Sequence, residues 1–99
     1  MKQVANVFIY YNSDQSESTE QAVHRVNELI HNLEIHHVIL GVFLDFFNQS
    51  TELMELLNSP LSEIDYIFTN KPIVNEFDKE LIIQLSRTEK FEIRYFDEM

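Results

Sequence analysis

Three residues sit where an enzyme built on a sheet would keep its chemistry. Ser13 and Asp14 follow the apolar run Val4-Ala5-Asn6-Val7-Phe8-Ile9-Tyr10-Tyr11, and Asp45 ends a second run, His37 to Leu44. If the two runs are neighbouring strands, Asp14 and Asp45 share one end of the sheet. Paired carboxylates there would hold Mg²⁺ or share a proton. A phosphoacceptor site would also want an aspartate closing the third strand, and Thr69 stands there instead. The plainer reading is that acidic residues favour strand-end loops and helix N-termini. Ser13 as a nucleophile would want a G-x-S-x-G elbow, which is absent; a turn-forming serine accounts for it.

Other residue types offer less. His24 and His31 are seven apart on one helical stretch, and His36-His37 open the second strand. Helical metal pairs usually stand at i and i+4 with a carboxylate in register, so these read as surface or strand-edge histidines. Phe46-Phe47 are consecutive aromatics in a loop. Either one is exposed, as at an interface, or both close the end of a small core. Leu81-Ile82-Ile83 puts apolar side chains on more than one side of a helix, so Ile83 is a candidate for an oligomer interface or for the core.

Composition narrows the function classes. The 99 residues predict a single domain, 1–99, with a modest core. There is no cysteine, hence no disulfide, thiol chemistry or thiolate metal site. Seventeen acidic and seven basic residues give a net charge of −10. Such a surface repels phosphate and anionic membranes, so direct nucleic-acid binding and membrane docking are not expected. Gly41 is the only glycine, so a glycine-rich phosphate loop is excluded. No signal pattern or membrane-length apolar run is present, which predicts a cytoplasmic protein.

Elements that would position these residues follow from periodicity. The first run reads as the central strand of a parallel sheet, buried on both faces. Ser16 or Ser18 would cap a helix to about Leu33, with Ala22, Val23, Val26, Leu29, Ile30 and Leu33 as its apolar stripe. His37–Leu44 reads as a second buried strand. A short helix, Thr51 to Asn58, ends at Ser59-Pro60. Ile64–Thr69 is the third strand. A helix from about Asn75 to Thr88 carries Phe77, Leu81, Ile82 and Leu85 on one side, and Phe91–Phe96 is an edge strand. Strand and helix alternate throughout, predicting an α/β three-layer sandwich with a four-stranded, mainly parallel sheet and three helices.

The motifs support a resemblance. Tyr10 fits the tyrosine of a strand ending Y-x-R-x-S, and Ser18-Thr19-Glu20-Gln21 looks like a helix start with its Gln. Gly41-Val42-Phe43-Leu44-Asp45 is similar to a second strand ending in Asp, and Leu53, Leu56 and Leu57 to a short Leu-rich helix. Asp65-Tyr66-Ile67-Phe68 and Lys71 follow the pattern of a third strand leading to D-R-L-x-R, and Leu85 to Asp97-Glu98 that of the next helix and strand. Together these resemble the N-terminal catalytic domain of serine recombinases, the resolvases and invertases, over nearly the whole chain. The likeness is carried mostly by hydrophobic pattern, which flavodoxin-like folds share. The family's long dimer helix and DNA-binding domain would begin beyond Met99.

Departures from that pattern set the functional expectation. The first motif's arginine falls at Asn12, and the nucleophile at Asp14, or at Ser13 with one residue missing. The Asp-Arg pair falls at Ile73-Val74 and the next arginine at Phe77. Serine attack on a phosphodiester needs guanidinium groups around the phosphate. Tyr10, Asn12, Ser13, Ile73 and Val74 therefore read as degenerate active-site positions with nothing cationic beside the first strand's exit. Arg25, Arg87 or Arg94 gathered around Ser13 would overturn this. The expectation is a catalytically inactive resolvase-like domain, regulatory through protein contact, without cofactor or metal. Its partner would be a second copy, a true recombinase or another DNA-acting protein of a mobile element or phage. Asp14, Asp45, Phe46, Phe47 and Ile83 are the candidate contact residues. Two alternatives stand beside it. One is an acidic DNA mimic that occupies a basic groove. The other is an Mg²⁺-dependent phosphotransfer or hydrolytic enzyme using Asp14 and Asp45.

Overall fold

A computed structural model describes residues 4–96. The elements are β1 (Ala5–Asn12), α1 (Thr19–Leu33), β2 (His37–Asp45), α2 (Thr51–Leu57), β3 (Tyr66–Thr69), α3 (Glu76–Glu89) and β4 (Glu92–Tyr95), with a 3-10 turn at Leu61–Glu63 before β3. All strand pairings are parallel, in the order β2-β1-β3-β4. This is the open α/β class with flavodoxin-like strand order.

β1 is central because both its faces are apolar. Val7, Ile9 and Tyr11 turn to α1, where they meet Leu33, Ala22 and Val26. Phe8 and Tyr10 turn to the opposite layer, where Leu53 and Leu56 of α2 and Ile82 of α3 close the larger core. Ser18 caps α1 through a complete capping box: its side chain accepts from the Gln21 N–H, and the Gln21 side chain accepts from the Ser18 N–H.

Three expectations are corrected. β2 is an edge strand and only half buried, with Val38, Leu40 and Val42 exposed, because the chain places β3 on the other side of β1. Its pairing with β1 steps from Val7↔Ile39 to Phe8↔Gly41, leaving Leu40 as a bulge of the kind that interrupts an edge. Gly41 follows because a side chain there would meet the rings of Phe43 at 3.0 Å and Phe8 at 3.2 Å. Val23 lies outside the buried stripe of α1. Phe77, placed with Leu81, Ile82 and Leu85 on the apolar side of the helix, is 74% exposed on the first turn of α3, and Ile82 is that helix's buried residue. β4 is the other edge, as its alternation predicts.

Candidate functional site

The connection after β1 leads through α1 to β2 on one side, while β3 lies on the other. Ligands of such sheets sit at this switch, outside the carboxyl ends of the strands. Asn12, Ser13 and Asp14 leave β1 there, and Asn70 and Lys71 leave β3.

Backbone demand builds this corner. Once the ladder ends, the remaining N–H and C=O groups need partners. The Asn70 side chain supplies two: its Oδ1 accepts from the Asn12 N–H at 2.9 Å and its Nδ2 donates to the Asn12 carbonyl at 2.7 Å. The Ser13 N–H donates to the Asp45 carbonyl at 2.9 Å, extending the other side of β1. Asn12 Nδ2 lies 3.4 and 3.3 Å from the carbonyls of Phe46 and Gln49, and so pins the loop after β2.

The two aspartates engage different partners. Asp45 is 2% exposed. Its Oδ1 accepts from the Glu52 N–H at 2.9 Å, and its Oδ2 from the Leu53 N–H at 3.0 Å and the Tyr10 hydroxyl at 2.8 Å. Asp45 thus caps α2 from outside the helix, a task the Ser50 side chain does not perform. Burial, then the bond to Asp45, raises the Tyr10 phenol well above its usual range. Asp14 is exposed and pairs with Lys71 Nζ at 3.1 Å. No group of three or more His, Cys, Asp or Glu side chains placed to hold a metal ion occurs among the described residues.

Ser13 is buried. The expectation that nothing cationic stands beside it is corrected: Lys71 Nζ lies 3.4 Å from the Ser13 carbonyl oxygen. The parallel pairing of β3 with β1 brings Lys71 there across 58 positions of sequence. Arg25 stands near this corner, lining a second cleft with Asp14, Asn70 and Lys71, whereas Arg94 lies on β4. Arg25 pairs with Glu17 at 3.4 Å, and Arg94 lies 4.1 Å from the Tyr66 ring centroid and pairs with Glu92. Glu17, which the sequence reading passed over, also accepts from the Tyr11 hydroxyl at 2.7 Å and the Asp14 N–H at 3.1 Å. Burial, then that bond to Glu17, pushes the Tyr11 phenol up to about 12. The missed signals are Asn70 and Lys71 immediately after a strand, which only strand order makes meaningful.

Both Phe46 and Phe47 are exposed, at 40% and 43%. A turn closed by the Gln49 N–H on the Phe46 carbonyl, with Asn48 left-handed at φ 63°, holds them outside the core. Asn tolerates that conformation better than most residues. Lys71 Nζ lies 6.0 Å from the Phe47 ring centroid. Of the positions that the resemblance marks as degenerate, Tyr10 and Ser13 are buried, Asn12 and Ile73 half-buried, and Val74 is 88% exposed. Ile83 is half-buried on α3. A cleft of about 490 Å³ opens between the loop after β2 and the segment after β3; its lining includes Tyr10, Phe47, Leu53, Lys71, Val74 and Asp78.

A scan against protein-family models, a search of curated proteins and a search of solved structures each find no match to this chain.

Proposed function

We propose that this chain is a catalytically inactive, resolvase-like α/β domain that works by protein contact. One observation carries the reading. At the carboxyl end of the sheet, where this fold class keeps its chemistry, the chain exposes Phe46, Phe47 and Val74, and the two cations near that corner are each paired with a carboxylate, Lys71 with Asp14 and Arg25 with Glu17. Phosphoryl chemistry wants free cations aimed at the phosphate. Water-exposed aromatics beside a cleft suit a protein interface. The resemblance adds that the positions of the family's arginines hold Asn12, Val74 and Phe77 here. Under that resemblance the domain is a regulator that meets a recombinase or another DNA-acting protein of a mobile element.

Two assays test it. Supercoiled DNA incubated with the protein and Mg²⁺ is expected to stay intact, with no strand attached to Ser13. Nicking abolished by Ser13→Ala would overturn the reading. Affinity capture from the native host is expected to retain a protein that the Phe46→Ser/Phe47→Ser double variant loses. Equal capture by that variant, which touches only exposed side chains, removes this face from the proposal.

A further inference from the structure

Val74 and Phe77 are the most exposed large apolar side chains among the described residues. Val74 is 88% and Phe77 74% exposed. Val74 immediately precedes Asn75, the N-cap of α3, a position whose apolar side chain often packs on the fourth helical residue. That residue is Lys79. Val74 instead lines the cleft that Phe47 also lines, while Phe77 lies outside the cleft lining. The start of α3 is mostly acidic, with Glu76, Asp78 and Glu80 against Lys79; Lys71 also lines the cleft, with its Nζ paired to Asp14 at 3.1 Å.

We propose that the cleft and the first turn of α3 form one docking site for an amphipathic, basic segment of another protein. Its apolar side chains enter between Phe47 and Val74 and continue over Phe77; its Lys or Arg residues meet Glu76, Asp78 and Glu80. Charge selects this occupant. A second copy would set two acidic helix turns against each other in molecules of net charge −10. A small ligand would fill the cleft and leave Phe77 in water. A nucleic acid meets the same carboxylates. The inference rests on the reading of this domain as a contact module and names the chemistry of its partner.

The test is titration of the labelled protein, followed by amide NMR shifts, with a synthetic amphipathic Leu/Lys helix. A scrambled peptide of identical composition is the comparison. Saturable shifts are expected at Phe47, Val74 and Phe77, weakening as salt rises. Phe77→Ser should lower affinity roughly tenfold, while Val23→Ser, an exposed apolar site on α1, should leave it unchanged. Equal binding of the scrambled peptide, or shifts spread over α1, overturns the docking site. So do concentration-dependent shifts at Val74 and Phe77 without peptide, which identify a second copy as the occupant. If the peptide fails while host capture still depends on Phe46 and Phe47, the contact module stands and this docking assignment falls.

Discussion

Asp45 shows how one residue type serves two unrelated ends. A carboxylate at a strand end reads first as an acceptor for a loop or helix terminus and second as a metal ligand, and here three donors occupy its oxygens. Asp45→Ala leaves those donors buried without an acceptor and should cost about 3 kcal/mol or more. Tyr10→Phe removes one donor only and should cost about 1 kcal/mol. Urea unfolding midpoints of the two variants check the ordering. Tyr11 gives a pH prediction. Its phenol is raised from 10.0 to about 12 in the folded state, first by burial and then by the bond to Glu17. Its contribution is complete below pH 10.0, where both states keep the proton, and is lost as pH rises toward about 12, because the unfolded chain ionises first. Stability should therefore fall with pH across that window, and Tyr11→Phe should flatten the fall. Unfolding measured at successive pH values, with tyrosinate absorbance followed in parallel, shows it. The role of Asp45 was legible as one of two alternatives. That of Glu17 was not, because its partners are gathered by a turn.

At the scale of elements, local signals carried most of the outcome. Ser16 or Ser18 ahead of the apolar stripe predicts a helix start, and α1 begins after Ser18 with both capping bonds to Gln21 formed. Ser18→Ala should destabilise the protein by about 1 kcal/mol, read from its thermal midpoint. β2 was misjudged for a physical reason. Val38, Ile39, Leu40, Val42, Phe43 and Leu44 form a continuous apolar run, which a buried strand and a bulged edge strand share. Which one results depends on the side of β1 that β3 takes. The third helix gave a similar error: Phe77 fits its apolar spacing, yet the packed face is set by Ile82 against the sheet. An apolar residue at the right spacing is buried only if the neighbouring layer reaches it.

The whole 99-residue sequence carries a net charge of −10. Self-repulsion of that size opposes the compact state, and mobile ions screen it beyond about 10 Å at ~0.1 M salt. The thermal midpoint should therefore rise by a few degrees between ~0.01 M and ~0.5 M NaCl. A midpoint that falls with salt would show that native ion pairs, such as Lys71–Asp14, outweigh the repulsion. The sequence by itself determined the α/β class, the central place of β1, the capped start of α1 and the acidic surface, because each follows from neighbours along the chain or from composition. Only the tertiary structure decided that β2 lies at an edge, that Lys71 reaches Asp14 across 57 positions of sequence, and that Phe46, Phe47, Val74 and Phe77 stand in water. Those outcomes depend on the order in which parallel strands are laid beside β1, and long-range order of that kind has no local signature.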